Sequence, residues 1–115
     1  MKKELEIIKT LSDPTRFRIF KMLQHRDAYV CEITYILKLT MATVSSHLSK
    51  MKSLNIVNSQ RIGNKIKYSL NKSNEELKPI LNFFSELGEN WESTKNDRRI
   101  LDSIELKEVC PSEEE

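Results

Sequence analysis

Thr40-Met41-Ala42-Thr43-Val44-Ser45-Ser46-His47-Leu48-Ser49-Lys50-Met51-Lys52-Ser53 divides into two faces more clearly than any other stretch of the chain. At helical spacing Val44, Leu48 and Met51 form one apolar stripe, with Leu54 just beyond. Thr43, Ser46, His47 and Lys50 project together on the other side, flanked by Ser45, Ser49 and Lys52. Thr40 has the side chain to cap the N-terminus, so a helix is predicted from 41 to about 53. Upstream, Val30, Ile33, Ile36 and Leu37 keep the same period over a shorter helix, and Leu39-Thr40 is a tight connection. A short helix, a turn, and a second helix with one apolar and one small-polar, basic face is the layout of a helix-turn-helix.

Working downstream, Lys65-Ile66-Lys67-Tyr68-Ser69-Leu70 alternates with period two and follows Ile56 to Arg61 across Ile62-Gly63-Asn64. Gly63-Asn64 supplies the positive-φ residues of a hairpin tip, so a β-hairpin with basic residues near its tip is predicted. Beyond it Leu77, Ile80, Leu81, Phe84, Leu87 and Trp91 make a continuous stripe, widened by Phe83 and Gly88, on one long predicted helix. That stripe exceeds what one small core absorbs, so this helix is expected to pack on its twin in a dimer. A further short helix is expected over 98–106.

Upstream, Leu5, Ile8 and Leu11 mark a short amphipathic helix, and Ser12-Asp13-Pro14-Thr15 reads as a stop and restart, with Asp13 as N-cap and Pro14 at the first helical position. The helix that follows runs to about residue 24. Phe17, Ile19, Phe20 and Leu23 face its core, and Arg16, Arg18 and Lys21 are expected on its wet side. His25-Arg26-Asp27 reads as a loop.

At 115 residues the chain is one small domain, and a partner subunit would add substantial stability. The longest apolar runs are a few residues, far short of the roughly 20 that cross a bilayer, and no signal-type stretch follows the Lys-rich start, so a cytoplasmic protein without a membrane is expected. The formal charge of +2 conceals a segregation: residues 1–101 carry +7 and residues 102–115 carry −5. Residues 33–74 hold Lys38, Lys50, Lys52, Arg61, Lys65, Lys67 and Lys72 with no Asp or Glu. Ordinary solvated surfaces mix both signs, so this stretch is expected to meet a polyanion. The Glu113-Glu114-Glu115 run is expected to be a solvating tail. Catalysis finds no footing: two Gly preclude a Gly-rich phosphate loop, and there is no HExxH or nucleophile elbow.

Three runs taken together, LSDPTRFRIFKML at 11–23, YVCEITYILKLTMATVSSHLSKMKSLNIV at 29–57 and RIGNKIKYSL at 61–70, resemble the ArsR/SmtB-type winged helix-turn-helix repressors over about the first 90 residues. The resemblance implies a mainly α fold with a small β-hairpin wing, dimerising through N- and C-terminal helices. It implies a homodimer on double-stranded operator DNA of inverted-repeat form, released by a metal, metalloid or oxidant. On this reading residues 1–92 are the winged helix-turn-helix domain with its dimerisation helices, and 93–115 a C-terminal extension with an acidic tail.

The implied DNA contacts are Thr43, Ser45, Ser46, His47 and Lys50 in the major groove, with Arg61, Lys65 and Lys67 of the wing on phosphates or the adjacent minor groove. For the wing cations, protection of an exposed strand edge is the plainer alternative. The inducer site departs from the family. Arsenic-responsive members carry C-V-C-[DE]-L where this chain has Tyr29-Val30-Cys31-Glu32-Ile33, and the zinc-sensing set on the last long helix has no His here. No cofactor is therefore assigned beyond a thiol-bound metal or metalloid. Cys31 is either a small packed residue or a thiol made reactive by the helix start, with Cys110 as a second thiol or an incidental exposed one. A protein-interaction module of the same fold, without DNA binding, is the alternative function.

Overall fold

The computed structural model describes residues 2–110. The acidic run 113–115 lies outside them. In chain order the elements are α1 (Lys2–Leu11), α2 (Pro14–His25), β1 (Ala28–Tyr29), α3 (Val30–Leu37), α4 (Met41–Ser53), β2 (Val57–Ile62), β3 (Lys65–Leu70), α5 (Lys78–Phe84), α6 (Glu92–Ser103) and α7 (Leu106–Val109). The strands form one antiparallel sheet of order β1-β3-β2. The core joins Phe20 and Ile19 of α2, Ile33 of α3, Leu48 and Met51 of α4, Ile56, Leu77 and Leu101.

The caps act as the sequence suggests. Arg16 N–H donates to Asp13 Oδ2 at 3.1 Å, and Pro14 opens α2. Thr43 N–H donates to Thr40 Oγ1 at 3.2 Å, starting α4 at Met41. β1 follows directly on the expected loop, whose first residue, His25, closes α2: Tyr29 pairs with Lys67, which makes β3 the central strand. In the hairpin, Ile62 faces Lys65 and only Gly63 (φ 64) among the tip residues has positive φ. Glycine at the first turn position is the type II′ arrangement, so Asn64 does not share that conformation as expected.

Five further expectations are corrected. The buried face of α1 is Ile7 and Leu11, four apart, whereas Leu5 and Ile8 point outward at 59% and 40% exposure. Lys21 is buried, not wet: its ammonium donates to Phe84 O at 2.9 Å and Ser85 O at 3.4 Å and meets Glu89 Oε2 at 2.5 Å.

The long helix is two. α5 ends at Phe84, where Lys21 takes up carbonyls that would otherwise continue the helical ladder. Gly88 then turns the chain at φ +77, and a Cβ there would lie 3.0 Å from the Phe17 ring and 3.1 Å from Trp91. The late helix is correspondingly α6, Glu92–Ser103, earlier than 98–106. Finally, Cys110 is neither exposed nor incidental. It is 1% exposed and disulfide-bonded to Cys31 across 79 residues, because α7 brings the C-terminal segment back against α3.

Candidate nucleic-acid interface

The α4 helix is held from below by apolar contacts and leaves its polar side open. Val44, Leu48 and Met51 are fully buried, while Thr43, Ser45, Ser46 and Lys50 are exposed. Of the four side chains the periodicity places on the outer face, Thr43, Ser46 and Lys50 are thus exposed, together with the flanking Ser45.

His47 sits at the edge of that face, half-buried, with Nδ1 3.2 Å from Arg16 Nη1. A guanidinium can only donate, so Nδ1 accepts and the ring proton belongs on Nε2. Arg16 also donates through Nε to Thr10 O at 2.8 Å, so it joins α1 to α4 instead of standing in solvent. One nitrogen of His47 therefore serves the fold, and Nε2 is left for a ligand.

The hairpin stands beside α4. Lys52 Nζ donates to Ser59 Oγ at 2.6 Å, tying the last turn of the helix to β2. At the other end Met41 and Ser45 line a common cleft with Asn64, Lys65 and Ile66. Arg61 is exposed. Lys65 and Lys67 are half-buried, and the Lys67 ammonium lies 6.0 Å from the Tyr29 ring centroid, held over it by the β1–β3 pairing. Thus Ser45 and Lys65 line one cleft, Thr43, Ser46, Lys50 and Arg61 are exposed on the two elements that flank it, and His47 and Lys67 are half-buried.

Charge pairing separates α4 and the wing from the surroundings of α2. Around α2 the cations meet carboxylates: Arg18 with Asp97 at 2.9 Å, Lys21 with Glu89, Arg26 with Glu32 at 3.2 Å, and Arg98 with Glu89 at 2.8 Å. Asp97 raises the Arg18 pKa further through its hydrogen bonds. Burial pushes the Lys21 ammonium down, against the pull of Glu89. Among the described residues, no carboxylate pairs with Lys50, Arg61, Lys65 or Lys67. Their charge is available to an external anion.

Two features escaped the sequence. The Arg16–His47 link crosses 31 positions and has no local signature. The Cys31–Cys110 bond crosses 79 and joins residues in no recognisable spacing. Because the two sulfurs are bonded to each other, neither is a thiolate. Among the described residues, no group of three or more His, Cys, Asp or Glu could hold a metal ion. In this form the donor set does not fit a metal or metalloid. No helix among the described residues is long and apolar enough to cross a membrane.

Comparison with known proteins agrees with this geometry. The profile of bacterial regulatory proteins of the arsR family matches residues 13–59, which span α2 through the first part of the hairpin. The transcriptional repressor PagR of Bacillus anthracis is 39% identical over 69 residues, covering 59% of this chain and 69% of that protein. The cadmium resistance transcriptional regulatory protein CadC of Listeria innocua is 38% identical over 84 residues, covering 72% of this chain and 66% of that one. Among solved structures, the homodimeric winged helix-turn-helix DNA-binding domain of Mb0332 from Mycobacterium bovis superposes with a TM-score of 0.62 at 20% identity, over 74% of this chain and 80% of that one. A helix-turn-helix followed by a wing, with an unpaired cationic face and relatives of this kind, is a member's anatomy: the chain belongs to the arsR family of bacterial regulatory proteins, as a DNA-binding winged helix-turn-helix transcriptional regulator.

Proposed function

We propose that the chain represses transcription as a two-fold dimer on an inverted-repeat operator, with α4 in the major groove. Thr43, Ser45, Ser46 and the Nε2 side of His47 face base edges, and Lys50 reaches base edges or the flanking phosphates. Arg61, Lys65 and Lys67 ride on the backbone or the adjacent minor groove. Residues 1–92 supply this apparatus, and beyond them α6 packs on α2 and α7 on α3. The observation that carries the reading is the charge pairing: Arg18, Lys21, Arg26 and Arg98 around α2 meet carboxylates, whereas among the described residues Lys50, Arg61, Lys65 and Lys67 of α4 and the wing do not.

Dimerisation is supported by an apolar strip that this protomer leaves uncovered. Leu5, Ile8, Phe83, Leu87 and Trp91 are 36–69% exposed, and α1 and α5 flank a groove of about 240 Å³ lined by Ile8, Pro79, Ile80 and Phe83. Two recognition helices related by a dyad imply half-sites roughly 34 Å apart, one helical turn of DNA.

Derepression by a thiol-reactive agent is supported by the Cys31–Cys110 pair. An oxidant that takes two electrons and two protons from the two thiols makes the bond, and a reductant reverses it. A metal or metalloid would first require the reduced pair, so no step is routed through one.

The test is operator retardation as a function of salt. With Lys50, Arg61, Lys65 and Lys67 from both protomers on phosphates, affinity should fall on the order of 10³–10⁵-fold between 50 and 200 mM salt. Lys50→Ala should weaken specific binding and flatten that slope. Equal retention of operator by Lys50→Ala and wild type, with an unchanged slope, would remove α4 from the interface.

A further inference from the structure

The cleft between α4 and the wing is a chamber with a composed lining. Its volume is about 180 Å³. Val30, Met41, Ile66 and the Cys31–Cys110 disulfide make its apolar walls, and Ser45, Asn64 and Lys65 stand at its polar side. A dry apolar cavity of about 150 Å³ takes up benzene, so this one has room for a single six-membered ring and a small substituent. Disulfide and thioether sulfur are favourable neighbours for such a ring. The substituent is set by Lys65. Its ammonium has only Asn64 Oδ1, at 3.5 Å, and among the described residues no carboxylate pairs with it.

We infer that this chamber is a binding site for a small aromatic carboxylate, its ring against the disulfide and its carboxylate on Lys65, with Ser45 and Asn64 as further donors. The site rests on the DNA reading for its consequence: Ser45 and Lys65 cannot serve a bound carboxylate and operator DNA together, so ligand and operator compete. The site also depends on oxidation state. Cys110 is a wall only while the C-terminal segment is fastened to α3, and α7 has no buried residue of its own to hold it there. Ligand therefore binds the disulfide form and, by linkage, stabilises it against reduction.

Benzoate is the probe, with neutral benzamide as its match in shape. In the oxidised full chain, benzoate should give saturable amide shifts centred on Ser45, Lys65 and Ile66. Benzamide should bind more weakly, and Lys65→Gln should erase the difference. At ten times its dissociation constant benzoate should shift the thiol–disulfide equilibrium in a dithiothreitol titration by about 11-fold toward the disulfide. Non-saturable shifts, equal binding by benzamide, or an unmoved equilibrium would each overturn the site. Operator retardation is measured separately. If benzoate binds and protects the disulfide while operator affinity stays constant, the site stands and the placement of DNA on α4 and the wing falls.

Discussion

Glu89 is held between two cations: Lys21 Nζ lies 2.5 Å from Oε2, and Arg98 approaches Oε1 at 2.8 Å. Hydrogen bonds from Arg98 and then Lys21 bring its carboxyl down from 4.5 to about 2. A depressed carboxyl pKa stabilises the fold above the ordinary value, and that contribution is lost as pH falls through the folded one, here between about 4.5 and about 2. Unscreened, such a shift corresponds to about 3 kcal/mol. The Glu89 side chain is 37% exposed, so solvent screening reduces the expected contribution to about 1–2 kcal/mol. Glu89→Gln keeps the shape and removes the charge. Urea unfolding of both proteins, disulfide intact, should show the variant less stable by about 1–2 kcal/mol at pH 7. The gap should close as the solution is taken toward pH 2. A difference that stays constant from neutral pH down to the bottom of this window would refute the argument, since only a charge-dependent contribution vanishes with protonation.

Three other perturbations follow from the packing. Reducing the Cys31–Cys110 bond opens a loop of 79 residues, for which chain entropy gives about 4.5 kcal/mol and experience with native bonds about 2–4, so the urea midpoint should fall sharply in reductant. An unmoved midpoint would mean the bond does not form in solution. Gly88→Ala places a Cβ at positive φ against the Phe17 ring and should cost about 1–3 kcal/mol in the same assay. Phe83→Glu puts a charge on the 69% exposed ring position of α5 and should give a monomer by sedimentation with weakened operator binding. A Phe83→Glu dimer of unchanged stability would place the dimer contact elsewhere.

The helix-turn-helix and wing are legible because their determinants are local. Asp13-Pro14, Thr40 and Gly63 each act within a few residues of where they stand, and Val44, Leu48 and Met51 announce the buried side of α4 by spacing alone. The break after Phe84 was not legible. An apolar stripe at helical spacing persists across it, and what ends the helix is Lys21, 63 positions away, together with the close approach of Phe17 to Gly88. The same holds for α1. Periodicity finds both Ile7 with Leu11 and Leu5 with Ile8, but only the tertiary arrangement decides which pair the protomer covers.

Charge is the one long-range property that the sequence carried into the fold, and the structure gives the reason. The acid-free stretch 33–74 contains all of α4 and the wing, so any carboxylate that neutralised them would have to arrive from outside it. The carboxylates that do arrive, Glu89, Asp97 and Asp102, belong to the later segment and are laid along α2, where they meet Lys21, Arg18 and His25. Each of these late acids is thereby paired with a cation of α2, and among the described residues none pairs with a cation of α4 or the wing. Had α6 crossed the wing instead of α2, the same composition and net charge would have produced a neutralised recognition face. The availability of Lys50 and Arg61 to phosphate is thus a product of helix placement as much as of residue content, and breaking the Arg18–Asp97 pair tests stability on one side without touching operator recognition on the other.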